Sequence, residues 1–467
     1  MALSDKIETA SIAPTAAMTG SHHLAAELGE TLKLAVPIAL TQLGQIAMMT
    51  TDIALIGRFG SEAVAAASLA HTVYFVSFTF GMGLVSAVAP LAAQAFGARN
   101  PHGIRRSLRV GLWAALFIAL PMMALSFRGE QILLMLGQSP VAANLAQQYL
   151  LGLTWSILPA LWFLAIRGFM SAVNRPEPIL WITLAAIPAN ALLVYLLLYG
   201  AFGLPNLGLF GAGLATSIVN FGTLLAALWF VARRRPFRKF HALGHVWRVD
   251  WGLMRQLVVI GAPISISFLL EYGLFGAAGL LMGVISMTAL AAHQIALQVA
   301  AILFMVPFGI SIAATVRVGH AISRRDASGV RRAGLVATWL GIAIGAALTL
   351  AVILSRFGIA TIFLGESTDA TAELSATLLL VGSTFFVADA IQTIAAGSLR
   401  GMNDTRLPLV FATISYWLIG FPSAWWLAFH TPLGAVGVWI GLSVGTAVYA
   451  TLLLLRFRFL ARKLVFQ

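Results

Sequence analysis

LAAHQIALQVAAILFMVPFGISIAATV, residues 290–316, runs from end to end without an Asp, Glu, Lys or Arg. About 20 mainly apolar residues suffice to cross roughly 30 Å of hydrocarbon, so this stretch is long enough to span a bilayer. It must cross as a helix, because a span satisfies its backbone hydrogen bonds internally and this run lacks the alternation of a barrel strand. Runs of the same kind occur at 179–200, 334–355 and 432–455. They account for a chain of 467 residues that is 60% hydrophobic and 10% charged, with a mean hydropathy of +0.92. That mix lies far outside the range of soluble domains. In chain order the apolar runs predict helices at 34–57, 69–95, 110–127, 144–168, 179–200, 208–232, 256–283, 290–316, 334–355, 374–398, 408–429 and 432–455. The expected fold class is therefore an all-α polytopic membrane protein of twelve transmembrane helices.

The formal charge of +13 is dispersed through the loops, not gathered on one face, which argues against a nucleic-acid partner. One set of loops carries Arg99, Arg105, Arg106 and Arg109, then Arg167 and Arg175, then Arg233 to Arg255, Arg317 to Arg332, Arg400 and Arg406, and the tail from Arg456 to Lys463. The opposite set holds only Arg58, Arg128 and Arg356. The positive-inside rule then puts both termini and the 233–255 connection in the cytoplasm, with the arginines serving topology and lipid headgroup contact. Cysteine is absent, which removes thiol chemistry and disulfides. Residues 1–32 contain no apolar segment of signal-peptide form, and His22 and His23 are read there as part of a solvated cytoplasmic tail.

A constant offset of 226 residues relates Pro37 to Pro263, Gly83 to Gly309, Gly103 to Gly329, Arg105–Arg106 to Arg331–Arg332 and Trp113 to Trp339. Gly208, Gly211 and Ser217 meet Gly434, Gly437 and Ser443 in the same register. The chain is a tandem repeat of two six-span halves. An even span number gives both halves the same orientation, related by an axis along the membrane normal. The expected organisation is a tail at 1–32, a six-helix lobe at 33–232, a cytoplasmic linker at 233–255, a pseudo-symmetric six-helix lobe at 256–455 and a basic tail at 456–467.

Asp52, Glu271 and Asp389 fall inside apolar helices, with no Lys or Arg expected among the spans. An ionised carboxylate at mid-span costs about 3 kcal/mol or more, so each must face a protein interior or water. Such acids carry protons, ligate cations or sit locked in a buried polar network. Thr50, Thr51 and Arg58 are the local candidates for locking Asp52. The repeat pairs Asp52 with Ala278 and Glu271 with Gln45, so the lobes differ where charge sits. His293 is read as a proton relay or an interfacial hydrogen-bonding residue, and Asn190 and Asn220 as interhelix hydrogen-bond donors. No Walker A loop, dinucleotide fingerprint, HExxH or GxSxG sequence is present, so the chain is read as no enzyme, with no cofactor beyond a coupling ion.

Four stretches, AVPIALTQLGQIAMMTTDIALIG (35–57), GLVSAVAPLAAQAFGARN (83–100), AAHQIALQVAAILFMVPFGISIAATVRVGHAI (291–322) and ADAIQTIAAGSLRGMNDTRLPLVFATISYWLIGFPSAW (388–425), carry a resemblance. The chain resembles the multidrug and toxic compound extrusion (MATE) family, and within it the NorM-like bacterial branch. The resemblance implies export of amphipathic, often cationic drugs and toxic cations in exchange for Na⁺ or H⁺ by alternating access across a bacterial inner membrane; a monomer in contact with membrane lipids is the default expectation. It implies that Glu271 and Asp389 are cation-coupling carboxylates, holding Na⁺ if sodium is used. It implies a proton- or drug-linked role for Asp52. Gln45, Asn190, Phe385 and His293 are the candidate supporting residues. Where NorM-like members can place a Tyr one turn before the second coupling acid, this chain has Phe385, which keeps a ring face but no hydroxyl. Transport of lipid-linked or polysaccharide precursors is the alternative, and it calls for a cavity lined by cations. A major-facilitator transporter and an intramembrane aspartyl enzyme lack their expected motifs here.

Overall fold

The computed structural model describes residues 20–366 and 369–464. Among the described residues, twelve helices are long and apolar enough to cross a membrane: α1 (Gly20–Gly57), α2 (Ser61–Gly97), α3 (Pro101–Phe127), α4 (Pro140–Ala172), α5 (Glu177–Tyr199), α6 (Gly208–Arg233), α7 (Trp251–Ile285), α8 (Met287–Ser323), α9 (Ala327–Leu364), α10 (Ala370–Gly401), α11 (Arg406–Phe429) and α12 (Ala435–Lys463). The protein is a multi-pass membrane protein. Its twelve spans form two six-helix lobes, α1–α6 and α7–α12.

Local chemistry sets the helix starts. Asn100 and Asp326 are equivalent residues, and each accepts a hydrogen bond from a backbone N–H three residues on, Gly103 and Gly329. Each satisfies an N–H that the first helical turn leaves orphaned. Just before them, Arg99 and Arg325 take left-handed φ of 54° and 57°, and Asn174 and Asn403 take 62° and 59° after α4 and α10. Four turns at the end bearing the termini thus share one geometry. Pro37 and Pro263 lie inside α1 and α7. One turn on, the equivalent hydroxyls of Thr41 and Ser267 each donate to the proline carbonyl at 2.8 Å.

Three boundaries differ from the sequence reading. α1 begins at Gly20, inside the segment expected as a tail, and exposed His22 and half-buried His23 ride on its first turns. Residues 20–32 are too polar for a hydropathy window, yet Glu27 there binds Arg317 of α8 through two hydrogen bonds of 2.8 and 2.9 Å. At the other terminus α12 runs on to Lys463 with Phe457 and Ala461 buried, where a loose basic tail was expected. The linker holds a short 3₁₀ turn, Phe237–Phe240, and α7 starts at Trp251.

The lobes meet along a seam of small residues. A Cβ on Gly83 of α2 would lie 2.5 Å from Ser265 Cα of α7, and one on Gly309 of α8 would lie 2.7 Å from Ala39 N of α1. These two contacts are images of each other under the repeat. A Cβ on Gly97 would lie 2.6 Å from the His320 carbonyl, and one on Gly261 would lie 2.5 Å from that of Leu84. Helices in lipid gain little from the hydrophobic effect and associate by close packing of small residues. Leu34, Ala35, Ile38, Ala92, Ala93, Ile310, Ala313 and Ala314 form the buried cluster that joins the lobes. Interlobe hydrogen bonds concentrate at the end that carries the termini, which the seam closes.

Candidate functional site

The first acid, Asp52, sits on α1 and is 5% exposed. Its carboxylate accepts from the Asn190 amide of α5 and from the Thr216 hydroxyl of α6, the latter at 3.3 Å. The neighbours proposed from sequence do not do this work, since Thr51 donates back to the Ala47 carbonyl. Three helices of the first lobe converge on one carboxylate. Nearby, the Tyr149 hydroxyl is 3.2 Å from His71 Nε2.

In the second lobe Glu271 of α7 and Asp389 of α10 come together through one amide. Gln392 Nε2 donates to Asp389 Oδ1 at 2.8 Å and to Glu271 Oε1 at 3.4 Å. The spacing of three residues puts Gln392 on the same helix face as Asp389, and the Thr393 hydroxyl donates to the Asp389 carbonyl at 2.7 Å. A void of about 10 Å³ borders Asp389, Phe386 and Pro307, on the scale of one water. Tyr416, on a π-helical stretch of α11, is buried near Glu271, and its hydroxyl has no hydrogen bond of ordinary geometry. Such π segments often occur at functional positions.

The remaining expected residues fall into two groups. Asn190 and Phe385 join the clusters: Phe385 is fully buried and meets Phe275, Phe386 and Trp439 edge to face. His293 is fully buried on α8, where its Nδ1 accepts from Trp439 Nε1 at 3.1 Å and its Nε2 is unpartnered. Gln45 is exposed on α1 and is not drawn into either acid cluster. Among the described residues, no three His, Cys, Asp or Glu side chains converge.

Sequence reasoning missed Gln392, Thr216 and Tyr416, of which only Gln392 was signalled, by its helical spacing. It also expected no cation within the spans, yet the helices carry several, Arg400 and Arg167 among them. Arg400, at the last turn of α10, lies over the Phe268 ring at 5.1 Å and within electrostatic reach of Glu271. Buried Arg167 of α4 donates to Gln42 Oε1 of α1 at 2.6 Å. Both stand near span ends in the sequence, which is why they read as loop arginines. Gln42 and Phe268 are equivalent positions, so an arginine reaches the same point of the first helix in each lobe.

The MatE family profile matches twice, over residues 37–196 and 263–426, so that each match begins on one of the paired prolines. A probable multidrug resistance protein NorM of Bradyrhizobium diazoefficiens is 67% identical over 446 residues, covering 95% of this chain and 96% of that one. The protein of the same name from Rhodopseudomonas palustris is 59% identical over 438 residues, covering 93% and 92%. Among solved structures, the eukaryotic MATE transporter AtDTX14 superposes with a TM-score of 0.84 at 22% identity, covering 94% of this chain and 98% of that one. A MATE family transporter in an outward-facing conformation gives 0.84 at 18% identity, covering 94% and 97%. On its paired profile matches and its close relatives, the chain belongs to the MatE family.

Proposed function

We propose that the protein exports amphipathic, often cationic drugs across a bacterial inner membrane, both termini cytoplasmic, in antiport with Na⁺ or H⁺ by alternating access. One observation carries this reading: the interior carboxylates are held by amides and hydroxyls. Asn190, Thr216 and Gln392 fix the geometry of Asp52, Glu271 and Asp389 without neutralising them. A carboxylate so held, in surroundings of low dielectric, attracts a proton, a metal cation or a cationic drug far more strongly than in water. The names of the relatives, all multidrug resistance proteins, support the same cargo.

In the proposed cycle, an external cation binds at Glu271 and Asp389, and the site then favours drug release. With the cytoplasmic end open, the cation leaves and drug loads. Coupling requires that each ligand bind the two states with different affinity. Gln392 bridges the two acids, so protonation or cation binding at one is felt at the other. Arg400, within electrostatic reach, moderates the charge of Glu271.

A second reading, transport of anionic lipid-linked or polysaccharide precursors, draws on buried Arg167, whose one hydrogen bond is to a neutral amide. Efflux of ethidium or a fluoroquinolone from everted vesicles, under separate Na⁺ and pH jumps, decides between them. Drug efflux that follows one ion and is lost in Glu271→Gln and Asp389→Asn supports antiport and names the ion. Normal, ion-dependent efflux in both variants overturns the site, and no drug efflux under either gradient moves the choice to the precursor transporter.

A further inference from the structure

Two hydrogen bonds cross the seam as images of each other. Gln94 of α2 donates through Nε2 to the Gly401 carbonyl of α10 at 2.9 Å, and its Oε1 accepts from Asn403 Nδ2 at 2.9 Å. His320 of α8 holds the position equivalent to Gln94, and its Nε2 lies 2.7 Å from the Ala172 carbonyl of α4. Ala172 matches Gly401, and Asn174 matches Asn403, in the register of 229 residues that aligns the ends of α4 and α10. Each lobe therefore reaches over the seam to the last carbonyl of the other lobe's fourth helix. One of the two reaching side chains can titrate.

A carbonyl only accepts, so His320 Nε2 carries the hydrogen. Its Nδ1 is buried without a partner, whereas the corresponding atom of Gln94 is satisfied. Protonation would place a second N–H, also without an acceptor, on a ring that is 1% exposed. The charges acting on that ring are Arg317 and Arg324 of its own helix. α1 contributes Glu27, already bound to Arg317, with Glu30 near the same arginine. α2 presents Phe96, at 5.0 Å between ring centroids, and Gly97, and α4 presents Ala172, none of them titratable. While the seam is shut, a second N–H on that ring has no acceptor to meet.

We infer that His320 and Gln94 form a twofold pair of latches closing the end that bears the termini, and that proton uptake by His320 releases one latch and opens that end. His320 is a positioning residue, since it touches neither acid cluster. The inference rests on the proposed alternating cycle.

The test uses the full chain in lipid nanodiscs, spin-labelled at His102→Cys and Ser328→Cys, equivalent exposed positions of a chain without cysteine. Asp52→Asn, Glu271→Gln and Asp389→Asn are included to silence the carboxylates. One proton taken up on opening changes the open-to-closed ratio by up to about tenfold per pH unit, so the long-distance population should grow from pH 8 to pH 5.5. His320→Gln, which copies the twin latch, should abolish that growth while retaining closure. Gln94→His should steepen it. Growth that survives His320→Gln, a flat response with His320 intact, or closure on acidification overturns the latch. No long-distance population in the chain that keeps its three acids, with drug or ion added, overturns the alternating cycle itself.

Discussion

Ala93 and Gly319 occupy the same position in the two repeats and touch each other across the seam, where a Cβ on Gly319 would lie 3.0 Å from that of Ala93. A residue that contacts its own equivalent lies on the twofold axis, so the axis passes between α2 and α8 at this point. Gly83 against Ser265 and Gly309 against Ala39 flank it symmetrically.

Gly83→Ala or Gly309→Ala is expected to wedge the seam apart. Each adds a Cβ within 3 Å of backbone in the facing lobe, where no side chain can swing clear. Overpacking of this kind costs about 1 to 3 kcal/mol, charged against the closed state. Spin-label distances across the seam should lengthen, and efflux should fall while the protein still inserts and folds.

Asn190→Leu leaves Asp52 with the Thr216 hydroxyl as its one remaining side-chain donor. The buried carboxyl then loses its stronger hydrogen bond, a loss of about 1 to 3 kcal/mol. Drug efflux should drop and its pH profile should move, whereas Thr51→Ala, which alters only a bond within α1, should leave both unchanged.

Gln392→Leu uncouples Glu271 from Asp389 without removing either acid. Ion-driven efflux is expected to lose its steep dependence on ion concentration, while drug binding measured by fluorescence quenching persists. Unchanged ion dependence would refute the bridging role of the amide.

Glu27→Gln should destabilise the closed seam. The Arg317–Glu27 pair is largely buried, with side chains 14% and 10% exposed, and stripping one partner from such a pair costs about 3 to 5 kcal/mol. A lower Tm and faster labelling of a cysteine placed in the seam are expected, with Glu27→Asp recovering part of the loss.

At the linker, burial raises the Asp250 carboxyl, but the Leu253 N–H, the Arg106 hydrogen bond and the charges of Arg106 and Arg109 outweigh it and hold the group below its ordinary value. A depressed folded value stabilises at neutral pH, and that gain is lost as pH falls through it. The Tm gap between wild type and Asp250→Asn should therefore be constant from about pH 7 to 5 and close below about pH 4.

Span number, tandem repeat and the three interior acids were legible because each is local or periodic: an apolar run, a fixed offset, a charge where lipid forbids one. Partners were less so. Thr216 stands 164 positions from Asp52, and nothing in the sequence singles it out among many threonines. Glu27 escaped notice because hydropathy starts α1 at residue 34, although its helix reaches back to Gly20 and meets Arg317 in the seam. Arg167 and Arg400 were assigned to loops by their nearness to span ends, where the structure turns them inward. Gln45, which the repeat pairs with Glu271, is exposed on its own helix.

The seam has an ancestry written into it. An interface in which Ala93 meets Gly319, its own counterpart, and the Gly83 contact mirrors that of Gly309, has the self-complementarity of an isologous homodimer. A single six-span ancestor carrying such a seam could pair with a parallel copy of itself. Joined in one chain through the 233–255 segment, each half is free to differ from the other. Asp52 against Ala278, and His320 against Gln94, are the marks of that freedom, acquired without disturbing the face on which the two copies first met.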